Sequence, residues 1–183
     1  MVKFAIIFCL LLTPFKVCYA NEHTAEQIQE AKDFQIEGIS LSMTPAQFKK
    51  LHPAAIEGKE TDKKIGIMQL LIQGEKATMI SVHIFEDKIY EIRIGYDAER
   101  VNKLGGDSVL IDRLTAKFGD ADDDSKGIIT EKPLEFRLKW SILEADRLII
   151  IHGKPDFTRI DITNMAIFSK LVDKRKSLAD TGF

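Results

Sequence analysis

Two residues, Glu86-Asp87, separate the extended segment Thr78 to Phe85 (TMISVHIF) from Lys88 to Tyr96 (KIYEIRIGY). So short a connection leaves no room for a crossover helix, so the strands it joins run antiparallel. The second segment alternates, with Tyr90, Ile92, Ile94 and Tyr96 on one face and Glu91 and Arg93 on the other. That is the pattern of a strand with one buried and one wet face. Ile65 to Gln73 precedes it as a third strand, joined through the turn Gly74-Glu75-Lys76. The same grammar recurs downstream. Leu134 to Ser141 (LEFRLKWS) alternates strictly, with Leu134, Phe136, Leu138 and Trp140 inward and Glu135, Arg137 and Lys139 outward. Arg147 to His152 is apolar enough for a central strand, Gly153-Lys154-Pro155-Asp156 is a turn, and Phe157 to Thr163 alternates again.

Helix signals punctuate these strands. Thr24 with Gln27 opens a short helix through Glu30 and Lys32. Thr44, Pro45 and Gln47 form a capping box with proline at the first helical position. Met43 and Phe48 can form a hydrophobic staple there, Phe48 and Leu51 face the core, and Pro53 stops the helix. After Gly105-Gly106, Asp107 or Ser108 caps a helix with the stripe Leu110, Leu114 and Phe118, ended by Gly119. Residues 120–133 read as a polar loop. A last helix, capped by Thr163 or Asn164, buries Ile167, Phe168 and Leu171 and ends with Lys174, Arg175 and Lys176.

The expected fold is α+β: an antiparallel sheet of about six strands with helices on one face, or two three-stranded sheets side by side. The order helix, three strands, helix, three strands, helix suggests a tandem α-β-β-β repeat of about 68 residues. It covers about 38–100 and 107–163 within one domain (38–183), with a C-terminal helix at 164–178.

The first twenty residues follow other rules. Met1-Val2-Lys3 is positive, Phe4 to Leu12 is an apolar run, and Val17-Cys18-Tyr19-Ala20 ends in small residues. This is the layout of a secretory signal peptide cleaved after Ala20, and it places the chain in the periplasm or outside the cell. The run is too short for a membrane span, which needs about 20 residues. Val17 before Cys18 does not suit a lipid-modified cysteine. Residues 21–37 are a polar N-terminal segment. Loss of the leader removes Lys3 and Lys16, so 26 basic residues become 24 against 28 acidic ones, a net charge of −4. Such a balance gives no footprint for nucleic acid. Both cysteines, Cys9 and Cys18, leave with the leader, which excludes disulfides, thiolate nucleophiles and cysteine-held metals.

The stretch Gly38-Ile39-Ser40-Leu41-Ser42-Met43-Thr44-Pro45-Ala46-Gln47-Phe48 resembles the entry motif of small exported α+β domains, in which G-x-x-L-G-M-T leads into a capped helix and a three-stranded antiparallel sheet. The small lipoprotein of the outer-membrane β-barrel assembly machinery and the tandem-repeat β-lactamase-inhibitor proteins look like this. The resemblance covers residues 38–96 and, more loosely, 107–163. It departs at Ser42, where the motif has Gly, and in lacking the lipid-bearing cysteine and the disulfides. What it implies is a binding or scaffolding role without catalysis.

Candidate chemistry is sparse. Asp120, Asp122, Asp124 and Glu131 fall at positions 1, 3, 5 and 12 of an EF-hand calcium loop, but Ser125 stands where the loop needs Gly. A solvated acidic loop is the competing reading. The histidines (His23, His52, His83, His152) form no H-x-x-x-H pattern; His83 and His152 fall on the middle strands of the two halves, where a shared metal or proton relay is conceivable. No G-x-S-x-G elbow occurs, and Ser81 lies in mid-strand. Carboxylates such as Glu91 and Asp161 have Arg93 and Arg159 beside them, which reads as a charge-paired surface. The basic residues Lys170, Lys174, Arg175 and Lys176 read as a solvated helix end.

The sequence therefore points to an exported, non-catalytic protein-binding or scaffolding module of the cell envelope, without a cofactor. Its partner is another envelope or extracellular protein, not nucleic acid, and the mature chain does not insert stably in a membrane. The binding surface is the charged sheet face: Glu91, Arg93, Glu135, Arg137, Lys139, Arg159 and Asp161. The alternatives are a small-ligand or calcium-binding periplasmic protein, using the acidic loop or a cleft between the halves, and a hydrolase whose site is assembled from distant residues.

Overall fold

The computed structural model describes residues 22–126, 136–154 and 156–180. The leader, Glu131, Leu134 and Glu135 lie outside the described residues, as does the side chain of Asp124. The elements run in the order α1 (Ala25–Asp33), β1 (Gln35–Ile36), β2 (Ile39–Ser40), α2 (Pro45–Leu51), β3 (Ile56–Glu57), β4 (Ile67–Ile72), β5 (Met79–Phe85) and β6 (Lys88–Asp97). Then come α3 (Ala98–Lys103), α4 (Asp107–Phe118), β7 (Asp123–Lys126), β8 (Phe136–Ile142), β9 (Arg147–Lys154), β10 (Phe157–Asn164) and α5 (Met165–Asp180).

Eight strands make one sheet in the order β3-β4-β5-β6-β10-β9-β8-β7, with every described pairing antiparallel. The six long inner strands correspond to the six extended segments read from the sequence, and β3 and β7 are short additions at the edges. Of the two expected arrangements, the single sheet is the one formed, because β6 pairs along its length with β10, from Glu91↔Thr163 to Asp97↔Phe157.

One sheet face carries the main core. Ile80, Val82, Ile92, Ile94, Ile160, Ile162, Ile149, Ile151 and Trp140 pack there with Phe48 of α2 and Leu110, Leu114 and Phe118 of α4. Each such burial of a large side chain contributes roughly 1.5–3 kcal/mol before entropy opposes it. Trp140 donates from Nε1 to the Gly119 carbonyl at 2.8 Å, tying the end of α4 to β8. The capping boxes at Thr24 and Thr44 form as their spacing predicts. Between β1 and β2, Glu37 and Gly38 take positive φ values of 49° and 76°, as a two-residue hairpin turn requires. The Glu37 carboxylate accepts from the amides of Glu75, Lys76 and Ala77 at 2.6, 3.0 and 2.6 Å, clamping the β4–β5 connection to this hairpin.

Several local expectations change. Leu51, the last residue of α2, is exposed (59%), and Phe48 alone of that helix is buried. A β-bulge between β5 and β6 pairs Ile84 with Ile89 but His83 with Glu91, so Tyr90 is the extra residue. Its side chain therefore leaves the face of Ile92 and Ile94 and joins Ile67, Phe85 and Leu171 on the opposite one. Gly106, and not Asp107 or Ser108, is the N-cap of α4. Helix α3 had no sequence expectation, because its cap, Asp97, is also the last residue of β6. The C-terminal helix α5 begins after Asn164, whose Oδ1 accepts from the Ile167 amide at 3.1 Å. It closes one end of the second face, while α2 and α4 lie on the first. Among the described residues, no helix is long and apolar enough to cross a membrane.

Candidate functional site

The second face of the sheet is where polar chemistry collects. Strand register puts Glu91, Arg93, Arg159, Asp161, Arg137 and Lys139 on it together. Arg93 pairs across with Asp161, His152 lies between Arg159 and Arg137, and Ile150 lies between Asp161 and Lys139. Six of the seven sheet-face residues singled out from sequence thus share one surface; Glu135 is the seventh.

Arg93 is the hub. Its Nη1 donates to both Glu60 carboxylate oxygens at 3.0 and 2.9 Å, and its Nη2 lies 2.8 Å from Glu91 Oε2. Burial works against the Arg93 charge, but the Glu91 hydrogen bond and charge outweigh it and hold the guanidinium above its ordinary value. On β10, Arg159 donates from Nε to Asp161 Oδ2 at 3.1 Å, with Nη2 at 2.8 Å, and His152 Nε2 lies 3.4 Å from the same oxygen. Burial lowers the His152 pKa, with Arg159 and Arg137 adding to it and Asp161 opposing. Arg93 Nε and Asp161 Oδ1 are buried without a hydrogen-bond partner among the described residues.

Beside this hub sits a neutral buried network that the sequence did not reveal. Gln69 Nε2 donates to Ser81 Oγ at 2.9 Å, and Ser81 Oγ lies 2.8 Å from His83 Nε2. The amide orientation follows from Gln69 Oε1, which accepts from the Glu60 backbone at 3.0 Å. Ser81 can then give its own proton to His83 Nε2, in the tautomer that carries the ring proton on Nδ1. That nitrogen is 3.8 Å from Glu60 and 3.9 Å from Glu91, too far for a hydrogen bond. Burial first, then the Arg93 charge, lowers the His83 pKa; Glu91 and Glu60 oppose both. The segment from Gly58 to Gly66 lies over this network, held by Thr61 Oγ1, which accepts from the Gln69 amide at 3.0 Å.

Serine, histidine and two carboxylates in this order superficially suit nucleophilic catalysis. Ser81, however, is only 3% exposed, with its hydroxyl engaged by Gln69 and His83. The two strand histidines do not converge. His83 on β5 and His152 on β9 have β6 and β10 between them, three strand spacings or about 14 Å. Among the described residues, no group of three histidines or carboxylates could hold a metal ion. In the acidic segment, Asp122 accepts from the Ser141 amide and Asp123–Lys126 runs extended against β8. An EF-hand loop instead curls around its ion.

The cover over this face is one-sided. Ile167, Phe168 and Leu171 of α5 pack over Ile67, Phe85 and Tyr90, on β4, β5 and β6. Over β8 and β9 no described helix packs on this side, and Leu148, Ile150 and His152 are half-exposed there. Loop burial of Gln69, Ser81 and His83 depends on residues distant in sequence, and their polar identity on an outward parity was the only signal available beforehand. Comparison with known proteins adds no relative: no family model matches the chain, and neither does any curated protein or solved structure.

Proposed function

We propose that this chain is an exported, non-catalytic module of the cell envelope that binds an acidic protein partner on the open half of its charged sheet face. One observation carries the reading: the face's acids are used internally while its bases are not all so used. Glu60 and Glu91 are committed to Arg93, and Asp161 to Arg159 and His152. Among the described residues, Lys139 and Lys154 remain without an ion pair on strands β8 and β9, and the Arg159 side chain, although paired with Asp161, is still 42% exposed. A rigid sheet bearing cations among half-exposed Leu148, Ile150 and Phe157 suits a partner with acidic and apolar groups in alternation. The burial of Ser81 supports the non-catalytic part, and the leader pattern of residues 1–20 supports export. The resemblance of Gly38 to Phe48 to exported binding domains points the same way. We also read the halves as tandem copies; each runs helix, short edge strand and three long strands, and their closing strands meet at β6 and β10.

The test is capture from an envelope extract by the intact protein and by the triple variant Arg137→Glu, Lys139→Glu, Arg159→Glu, with captured proteins identified. The expected outcome is an acidic partner held by the first, released by about 0.5 M salt as screening predicts, and lost from the second. Equal capture by both proteins would remove the open face as the binding surface.

A further inference from the structure

On the other side of the sheet, where α4 passes the β1–β2 hairpin, lies a cavity of about 320 Å³, at the lower end of the range for ligand pockets. Its walls are apolar: Phe34, Ile36, Leu104, Leu110, Leu114 and Ile160. Tyr96 also lines it. That residue is only 4% exposed, and its hydroxyl, which makes no hydrogen bond among the described residues, is not sealed from solvent but opens onto the cavity. Burial, then the Glu37 charge, pushes the phenol up to about 12, so it stays a proton donor across the physiological range.

The rim is polar, and its charges are not equally committed. Lys117 pairs with Glu30, while the Glu37 carboxylate is taken by three backbone amides. Glu75 and Lys76, side by side on the β4–β5 connection, also line the cavity. Arg113 lines the mouth, close enough to act on the Tyr96 phenol, and has no ion pair among the described residues. We propose that this cavity binds a small amphiphile with a single anionic head group, its tail against the leucines and its head on the Arg113 guanidinium and the Tyr96 hydroxyl. A carboxylate matches the planar donor fork of arginine and accepts from a phenol at the same time. The site is independent of the charged sheet face, which lies across the sheet.

Isothermal titration with sodium decanoate, below its micelle concentration, tests this against decyltrimethylammonium, which has the same tail and the opposite charge. Decanoate is expected to saturate one site and to bind at least tenfold tighter than the cation. Arg113 is exposed, so Arg113→Glu should fold normally and weaken decanoate at least tenfold; Tyr96→Phe should weaken it severalfold. The absence of decanoate binding overturns the proposal. So does equal binding of anion and cation, or decanoate binding that Arg113→Glu leaves unchanged.

Discussion

His83 shows how one residue links a strand to the acid response of the protein. It is 1% exposed, shares a hydrogen bond with Ser81, and has its pKa held below 6.5 chiefly by burial. Below pH 6.5 the unfolded chain therefore binds a proton that the native chain refuses, so stability rises with pH across that window and falls as pH drops. His152 acts in the same direction. Urea midpoints are expected to hold steady from pH 8 to 7 and to decline from about 6.5 toward 5, before the carboxylates titrate. His83→Gln should flatten part of that decline; an unchanged slope would assign it elsewhere. Glu91, Arg93, Arg159 and Asp161 were legible in the sequence because a strict alternation sets their face. Gln69, Ser81 and His83 share that parity, but their burial depends on Glu60 and its loop, which no local pattern announces.

Elements were legible in proportion to how local their causes are. The boxes at Thr24 and Thr44 depend on residues three apart, and both form. The bulge that turns Tyr90 depends on the partner strand and the docking of α5, so alternation alone misplaces that side chain. The β5–β6 connection was recognised from its length, although it lacks glycine: Glu86 and Asp87 sit at φ 49° and 56°, where a residue with a Cβ is strained. Asp87→Gly should relieve that strain and raise stability by about 1 kcal/mol, read as a higher urea midpoint at an unchanged slope. Gly153 is the opposite case, since a Cβ there would meet the Phe136 ring at 1.7 Å. A larger residue at this position would have to displace the Phe136 ring.

At the scale of the whole molecule, the described residues form two apolar clusters of unequal size, on opposite faces of one sheet. The larger joins both halves with α2 and α4. The smaller exists only because α5 lays Leu171 against Ile67, Phe85 and Tyr90. Leu171→Ala empties a fully buried position and should cost about 3 kcal/mol. The sheet's main core should survive this, so unfolding is expected to remain a single transition at lower urea, with near-native circular dichroism before it. Loss of all cooperative unfolding would mean that α5 supports more than its own end of the sheet. The antiparallel class and the six long strands came from turn length, alternation and, for β9, a continuous apolar run. The join between the halves did not, because nothing local tells β6 that β10 will lie beside it.

That join has a bearing on synthesis. Until residues 157–164 are made, β6 has its inner edge bare, seven consecutive ladder positions with no mate in the same chain. A ribosome or translocation channel that releases the first half early would expose a sticky template, and a second nascent copy is the nearest strand able to cap it. Truncations before β10 should therefore clump in inclusion bodies instead of persisting as small soluble fragments.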